Sequence, residues 1–437
     1  MLQPNDIKNL LNIQDEFISL TQLDKKTLKG KLTNVVKGTL TYTPKACPCC
    51  GVKNLEYTII KHGTKRSRIV WNKVAGFPTL LYLKKQRFYC KACSQTFSAH
   101  SSEVERNCFI SNKVKQHIGS QSVEDLSMKY IAEEHTVSPA TVKRVVSQFA
   151  KVYYPDFQSL PNCLLFDEFK SVKSVNGAMS FIYADGDTHE VIDILPDRRK
   201  YYLKRHFQKY PQKVREQVKL IVIDMNAAYE FAIKELFPNA KVIIDRFHIV
   251  QLVNRTLNRT RVKVMKQYNR SSYPSKGIYN KLKNHWRLLL KEESELSRTE
   301  YKYYACFGQT TQKHIVDTLL NLSEELKETY QFYQGILYAL KEKKFSCFQA
   351  TLQNSAPNCS DIMKVSRRTL QYHTKKGHIE TAFHYNYSNG PLEGTNNKVK
   401  NIKRTAYGFV SFNSFRNRLL LSLKMKPKKR SSIESTR

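Results

Sequence analysis

The sequence predicts a multidomain protein in which a cysteine-bearing, strand-rich module and a small helical module precede an α/β domain with a large helical insertion. Three observations indicate this organisation: two Cys-x-x-Cys pairs before residue 100, a Ser-Pro helix start near residue 138, and a mixed strand and helix pattern over 161–248. The chain has 437 residues, which is enough for about three domains of ordinary size.

The composition indicates a folded protein with a polyanionic partner. Hydrophobic residues make up 41% of the chain, which excludes a wholly disordered protein. The 73 Lys and Arg residues against 37 Asp and Glu residues give a net charge of +36, and nucleic acid is the commonest partner of such a surplus. The sequence contains neither an apolar window long enough for a membrane helix nor a signal peptide, so we expect a cytoplasmic protein with no membrane partner.

The first module is predicted from its cysteines. Residues 1–40 form an N-terminal segment with one short amphipathic stretch, and residues 41–100 carry the two pairs, Cys47 with Cys50 and Cys90 with Cys93. A two-residue spacer lets both thiolates of a pair face one ion, so the four cysteines predict one structural Zn²⁺ in a zinc ribbon. The long segment between the pairs must then hold its own hairpin. Cys49 is a spare thiol, so a shifted ligand register stays open, as do free thiols or a redox pair.

The second module, residues 108–150, fits a helix-turn-helix. Ser138 is a good N-cap and Pro139 suits the first position of a helix, so the second helix has a defined start. The side chains that this helix would offer to the major groove of DNA include Thr141, Lys143 and Arg144. An ordinary helical hairpin is the alternative, and adjacency to a basic ribbon favours DNA reading.

Residues 161–248 predict the order β-β-β-α-β-α-β. Asn176-Gly177 predicts a tight hairpin after the first strand, and Asp185-Gly186 predicts a second turn. Two runs that are apolar at nearly every position, 219–224 and 241–245, are typical of parallel strands buried on both faces. Helices are expected over 199–210 and 227–237. Three meandering strands followed by βαβ units describe the ribonuclease-H-like fold.

Two carboxylates fall at the ends of predicted strands. Asp167 and Asp224 would converge because the first and fourth strands are neighbours in this topology. Converging carboxylates repel one another unless a cation lies between them, and Mg²⁺ or Mn²⁺ prefers oxygen ligands. The pair therefore predicts two active-site ions that act on a phosphodiester. Glu168 would point to the opposite face of its strand and is a less favoured ligand.

A third carboxylate is expected from the segment 386–423, where a helix begins at Pro391. Glu393 is the candidate, and an N-terminal capping role is the alternative reading of the same residue. Lys400 and Arg404 share the face of Glu393 at helical spacing, so we expect them to contact the DNA backbone. Residues 249–385 are predicted to be a helical insertion, and residues 424–437 a basic, disordered tail.

Six motifs in a fixed order identify a family resemblance. They are the cysteine pairs, the helix-turn-helix, Phe166-Asp167-Glu168-Phe169, Val222-Ile223-Asp224-Met225, Asp245-Arg246-Phe247-His248 and Asn389-Gly390-Pro391-Leu392-Glu393-Gly394. Together they resemble the ISL3 family of bacterial insertion-sequence transposases, which carry a DDE catalytic centre.

The resemblance implies a DNA transposase that acts at the nucleoid. Asp167, Asp224 and Glu393 would be its catalytic triad and Mg²⁺ ligands. Asp245 and His248 are similar to a C/D-x-x-H signature of such enzymes and are possible accessory residues, although Asp245 could equally cap a helix. The DNA partners would be terminal inverted repeats and target DNA, bound by a homo-oligomer, with strand cleavage followed by strand transfer. A site-specific nuclease of the same fold and a regulator with a vestigial catalytic fold are the alternatives.

Overall fold

The computed structural model describes residues 4–225, 230–268, 271–354 and 356–425, which divide into two compact units. The ribbon unit takes in the described residues among Met1–Tyr154, Val172–Ser174 and Lys398–Arg437. The α/β unit takes in those among Pro155–Ser171 and Val175–Asn397. Within the described ranges, no helix is long and apolar enough to cross a membrane.

The ribbon unit is built on one five-stranded sheet. Its elements are α1 (Pro4–Leu10), β1 (Ile18–Leu28), β2 (Lys31–Leu40), β3 (Ile59–Val74), β4 (Phe77–Cys90) and β5 (Thr96–Ser98). The strand order is β1-β2-β4-β3, with β5 paired to β4, and only β2 and β4 run parallel. The hairpin expected between the two cysteine pairs is present as β3 and β4, and β4 ends on Cys90.

The first two strands were not anticipated from the sequence. Ile18 and Leu20 are the buried side chains of β1, and the rest of that strand is exposed or half-buried and rich in lysine. The period-2 alternation that marks a half-buried strand therefore covers few residues. In the structure these side chains join a core with Val36, Leu81 and Phe88.

Three helices follow the sheet. They are α2 (Asn112–Gln121), α3 (Met128–Glu134) and α4 (Pro139–Ala150). Ser138 caps α4, since its side chain accepts a hydrogen bond from the backbone N–H of Thr141, and Pro139 occupies the first turn, as expected. Ile131 and Ala132 of α3 pack with Val142 and Val145 of α4 in one buried cluster.

The α/β unit contains a second five-stranded sheet. Its elements are β6 (Cys163–Lys170), β7 (Met179–Asp185), β8 (Val191–Leu195), α5 (Lys200–Phe207), α6 (Gln212–Glu216), β9 (Leu220–Ile223), α7 (Glu230–Leu236) and β10 (Lys241–Ile244). The sheet order is β10-β9-β6-β7-β8. The strands β6 to β8 are antiparallel, whereas β9 runs parallel to both β6 and β10. The strand sequence is therefore the predicted one.

Two local predictions differ from the structure. The tight turn at Asn176-Gly177 is wrong, because β6 and β7 are joined by a longer loop over 171–178. Gly177 instead lets the backbone of this loop approach the side chain of Asp197, since a Cβ atom at Gly177 would lie 2.7 Å from Asp197 Oδ2. The helix expected over 199–210 is shorter and ends at Phe207. The start of the helix expected over 227–237 lies outside the described residues.

The region expected to be a helical insertion is helical with one small hairpin. Its elements are α8 (Arg246–Lys266), α9 (Ser275–Asn284), α10 (Trp286–Leu289), β11 (Lys302–Tyr304), β12 (Gly308–Thr310), α11 (Gln312–Leu320), α12 (Glu324–Lys341), α13 (Phe345–Gln353), α14 (Asp361–Lys375) and α15 (His378–His384). The helices α12 and α14 pack on the long helix α8, and Leu257, Tyr333 and Leu370 are fully or almost fully buried there.

The last two described helices are α16 (Gly390–Thr405) and α17 (Phe412–Lys424). In the ribbon unit α17 packs against α4. Arg418 is only 2% exposed, and its guanidinium donates to the carbonyl oxygens of Glu124 and Leu126. The basic tail expected over 424–437 lies outside the described residues beyond Met425.

Candidate active site and cysteine cluster

Four thiols form a compact cluster in the ribbon unit. The sulfur atoms of Cys47, Cys50, Cys90 and Cys93 all lie within 4.8 Å of one another. Cys47 Sγ is 3.7 Å from Cys93 Sγ, and Cys50 Sγ is 3.8 Å from Cys90 Sγ. A tetrahedral zinc with Zn–S bonds of about 2.3 Å separates its sulfurs by about 3.8 Å, so the four thiols fit this ion.

The backbone around the cluster favours a thiolate. The backbone N–H of Cys50 is the main cause that lowers the pKa of Cys47 to about 6. Since the thiolate is the form that binds metal, this thiol is prepared as a ligand. Cys49 lies outside the cluster, as the C-x-x-C reading of the first pair requires.

Two aspartates lie side by side on parallel strands of the α/β unit. The register pairs Leu165 of β6 with Val222 of β9. Asp167 of β6 and Asp224, which directly follows β9, lie two residues further along the chain and so at the same level of the sheet. His248, in the first turn of α8, places Nδ1 3.3 Å from Asp224 Oδ1. The structure therefore brings together two of the predicted catalytic residues and one of the accessory residues.

The carboxyl group of Asp167 is difficult to ionise in the absence of a cation. Burial is the largest cause that raises its pKa to about 6, and the nearby charge of Asp224 adds to the shift. The backbone N–H of Glu168 and the imidazole of His248 act in the opposite direction. A divalent ion at this position would remove the penalty, so the residues present fit oxygen-ligated Mg²⁺ or Mn²⁺.

Asparagine side chains that the sequence did not single out tie α16 to the sheet. The side-chain amide of Asn396 donates to Asp167 Oδ2 at 2.8 Å. The side-chain amide of Asn389 donates to the carbonyl oxygen of Phe166 at 2.8 Å, and its backbone N–H donates to Asp245 Oδ2 at 3.1 Å. The sequence signal that could have identified Asn396 is its position three residues after Glu393, which places both residues on nearly the same side of the helix.

The third predicted carboxylate is on the first turn of α16 and is exposed. Within the described part of the chain, the carboxylate oxygens of Asp167, Asp224 and Glu393 do not all lie within 4.8 Å of one another. Three carboxylates without a cation repel, which opposes such a close approach. Lys400 and Arg404 of the same helix are also exposed.

Asp245 has the capping role that its position allowed. Its side chain accepts from the backbone N–H of Phe247 at 3.1 Å, and the residue is 2% exposed. His248 is half-buried, and its imidazole faces Asp224. Glu168 is ion-paired with Arg198.

The residues expected to bind DNA in the helical module are accessible. Lys143 and Arg144 are exposed on α4, and Thr141 is half-buried near its start. They lie together on the first turns of the helix that Ser138 caps.

Comparisons with known proteins agree with this arrangement. Residues 164–419 match the model of the DDE domain of ISL3 elements, described as a transposase. This chain belongs to the ISL3 family of DDE transposases. Residues 43–93 match the zinc-finger of the transposases of IS204, IS1001, IS1096 and IS1165. The transposase therefore has an N-terminal zinc ribbon with a four-cysteine cluster, followed by a mixed α/β DDE domain, and it is an enzyme of DNA cleavage and transfer. The family resemblance seen in the sequence is confirmed.

Two relatives illustrate the range of similarity. The transposase for insertion sequence element IS1001 of Bordetella parapertussis is 25% identical over 366 residues, which cover 83% of this chain and 85% of that protein. A protein of Lactococcus lactis subsp. lactis named ATP-dependent protease is 39% identical over 111 residues. That second match covers 25% of this transposase and about a third of the other protein, so it describes a shared segment.

Proposed function

We propose that this transposase binds the terminal inverted repeats of its insertion sequence, in the cytoplasm of a bacterium, and cleaves and joins DNA at Asp167, Asp224 and Glu393 with two Mg²⁺ or Mn²⁺ ions. The observation that carries the catalytic part is that Asp167 on β6 and Asp224 directly after the parallel strand β9 lie at the same level. The sheet order β10-β9-β6-β7-β8 supports the ribonuclease-H-like fold, in which such strand ends carry the active site.

DNA recognition is assigned to the ribbon unit. One Zn²⁺ held by Cys47, Cys50, Cys90 and Cys93 would order the ribbon, and α3 and α4 would act as a helix-turn-helix. The exposed Lys143 and Arg144, with Thr141, are suited to enter the major groove. Lys400 and Arg404 are suited to phosphate contacts, because they are exposed on the helix that carries Glu393. A homo-oligomer would hold two DNA ends together.

The roles of the side chains follow from their contacts. Asp167 and Asp224, with Glu393, would hold the divalent ions, which supply Lewis acidity for attack on a phosphodiester. Asn396 holds the orientation of the Asp167 carboxylate through its amide. His248 lies beside Asp224 and can donate a hydrogen bond to its carboxylate, which would hold the orientation of that carboxylate. Asp245 fixes the loop before α16 through Asn389.

A binding and cleavage assay on a repeat-end duplex tests this function. Asp167→Asn and Asp224→Asn should each abolish Mg²⁺-dependent cleavage and strand transfer while leaving the mobility shift unchanged. Asp361→Asn is the charge-matched control, because Asp361 is exposed on α14 and pairs with Lys364. Cleavage without strand transfer would support a nuclease instead, and binding without cleavage by the parent protein would support a regulator.

A further inference from the structure

A second group of metal-ligating side chains lies in the α/β unit and is not part of the proposed triad. Glu230 begins α7, His373 is in the last turn of α14, and His378 begins α15. One ligand atom from each residue lies within 4.8 Å of the others. The turn between the two histidines contains Gly377 with a φ of 76°, a left-handed conformation that glycine adopts without strain and that reverses the chain so both imidazoles meet.

Both imidazoles have a buried nitrogen that makes no hydrogen bond to the described part of the chain. These atoms are Nδ1 of His373 and Nδ1 of His378, and His373 is only 3% exposed. The backbone of Met225 adjoins the His373 imidazole and partly offsets the effect of burial on its pKa. A neutral imidazole binds a metal through a nitrogen lone pair, so the two Nδ1 atoms are available as ligands.

The charge state of the two histidines suits ligands. Burial is the main cause that lowers the pKa of His373, and it lowers the pKa of His378 to about 4. Both rings are therefore neutral near pH 7, so a metal does not have to displace a proton from either. His378 Nδ1 lies 3.8 Å from Glu230 Oε1, which leaves room for an ion between them.

A cation already competes for the carboxylate. Lys376 Nζ is 2.5 Å from Glu230 Oε1 and is about one-third exposed. The same lysine, Glu230 and His378 line an open cavity of about 990 Å³, so an ion could enter from solvent. Lys376 can withdraw into that cavity when an ion takes its place.

We propose that Glu230, His373 and His378 form a site for one divalent transition-metal ion, with Zn²⁺ the expected occupant and one coordination position open to the cavity. Two imidazole nitrogens and one carboxylate oxygen are a donor set that suits zinc and contrasts with the all-oxygen set of the proposed active site. Since Met225 directly follows Asp224, the ion would fasten the helical insertion to the strand end that carries this aspartate.

The test measures zinc bound by the full-length protein after equilibrium dialysis, together with competition against a chromophoric chelator. We expect the parent protein to bind one zinc more than His378→Ala or Glu230→Gln, because each variant removes one of the three protein ligands. His384→Ala is the matched control, because His384 lines the same cavity outside the cluster and should leave the zinc content unchanged.

The variant Lys376→Met distinguishes a metal site from a structural ion pair. It removes the competing cation and no ligand, so the affinity of the second site for zinc should increase. In Co²⁺-loaded protein, the second ion should add absorption without the thiolate charge-transfer band of the cysteine cluster. If Glu230→Gln and His378→Ala retain the zinc content of the parent, or if Lys376→Met weakens zinc binding, the proposal is overturned. The Lys376→Met result decides the question even if a ligand variant fails to fold.

Discussion

The side-chain amide of Asn396 donates to Asp167 Oδ2 at 2.8 Å and so joins residues 229 positions apart in the chain. Asn396 is 9% exposed, and Asp167 is half-buried on β6. The bond fixes the first turns of α16 relative to Asp167 on β6. It therefore also limits the positions that the carboxylate of Glu393, one turn earlier on α16, can occupy.

Replacement of Asn396 should slow catalysis without changing DNA affinity. Asn396→Ala frees the Asp167 carboxylate to rotate, and loss of such an outer-shell partner typically costs about 10- to 100-fold in metal affinity or activity. We expect the Mg²⁺ concentration for half-maximal cleavage to rise and the mobility shift of a repeat-end duplex to be unchanged. Asn401→Ala is the control, because Asn401 is exposed on the same helix. An equal loss of activity in both variants would contradict a positioning role for Asn396.

The stability of the metal-free protein should depend on pH through Asp167. Its pKa in the folded protein is raised from 3.8 to about 6, so the protonated form is the stabilised one. The contribution of Asp167 to the free energy of unfolding is therefore fully present below pH 3.8. It is lost as the pH rises through about 6, which lowers the free energy of unfolding by up to about 3 kcal/mol.

Asp167→Asn remains neutral and avoids this cost. In the presence of a chelator, the Tm of Asp167→Asn minus the Tm of the parent should therefore increase from pH 5 to about pH 7. Added Mg²⁺ should raise the Tm of the parent more at pH 7 than at pH 5, because binding needs the carboxylate. Differential scanning calorimetry at several pH values measures both effects. A constant Tm difference between the two proteins would show that Asp167 does not titrate in this range.

The zinc ribbon offers a matched pair of cysteine variants. Cys90→Ser removes a buried member of the four-sulfur cluster, whereas Cys49→Ser removes the spare thiol two residues from Cys47. We expect Cys90→Ser to lose the ribbon zinc and, with it, specific DNA binding, since structural zinc contributes folding energy directly. Cys49→Ser should keep both. Loss of zinc in Cys49→Ser would mean that the ligand register of the first cysteine pair is shifted.

The start of α4 should supply much of the DNA affinity of the ribbon unit. Lys143→Ala combined with Arg144→Ala should weaken binding by about 10- to 100-fold at moderate salt and reduce the salt dependence of the affinity. A double variant of the exposed Lys276 and Lys283 on α9 changes the net charge equally and is the control. Fluorescence anisotropy over a salt series measures both. Equal weakening by the two double variants would indicate attraction by net charge alone.

The sequence predicted the parts of the fold whose signal is local. The apolar runs of β9 and β10, the cap at Ser138 and the cysteine spacing each lie within a few residues. The spacing of Asn396 after Glu393 indicates its side of the helix. The bonding partners of Asn389 and Asn396 lie more than 140 residues away, so spacing does not identify those partners. The same holds for the buried Arg418 of α17, whose guanidinium donates to the carbonyl oxygens of Glu124 and Leu126, 292 or more residues away.

The last prediction concerns Glu393, whose two readings differ in their chemistry. A capping role tolerates glutamine, because the capping box accepts either residue at this position. A metal ligand does not, because glutamine lacks the negative charge that the cations require. The exposure of Glu393 leaves its carboxylate accessible to an incoming ion, and the bond between Asn396 and Asp167 keeps this helix end beside the aspartates.

Glu393→Gln should therefore lose Mg²⁺-dependent cleavage by orders of magnitude while keeping DNA binding, which rests on side chains that the change leaves intact. The matched control is Glu380→Gln, an exposed glutamate in the first turn of α15, which should cleave like the parent. Cleavage of a repeat-end duplex in Mg²⁺ and in Mn²⁺, with a mobility shift on the same preparations, measures both properties. A Glu393→Gln protein that cleaves at the parent rate would remove this residue from the active site, and Asp245, at the end of the neighbouring strand, would become the next carboxylate to test.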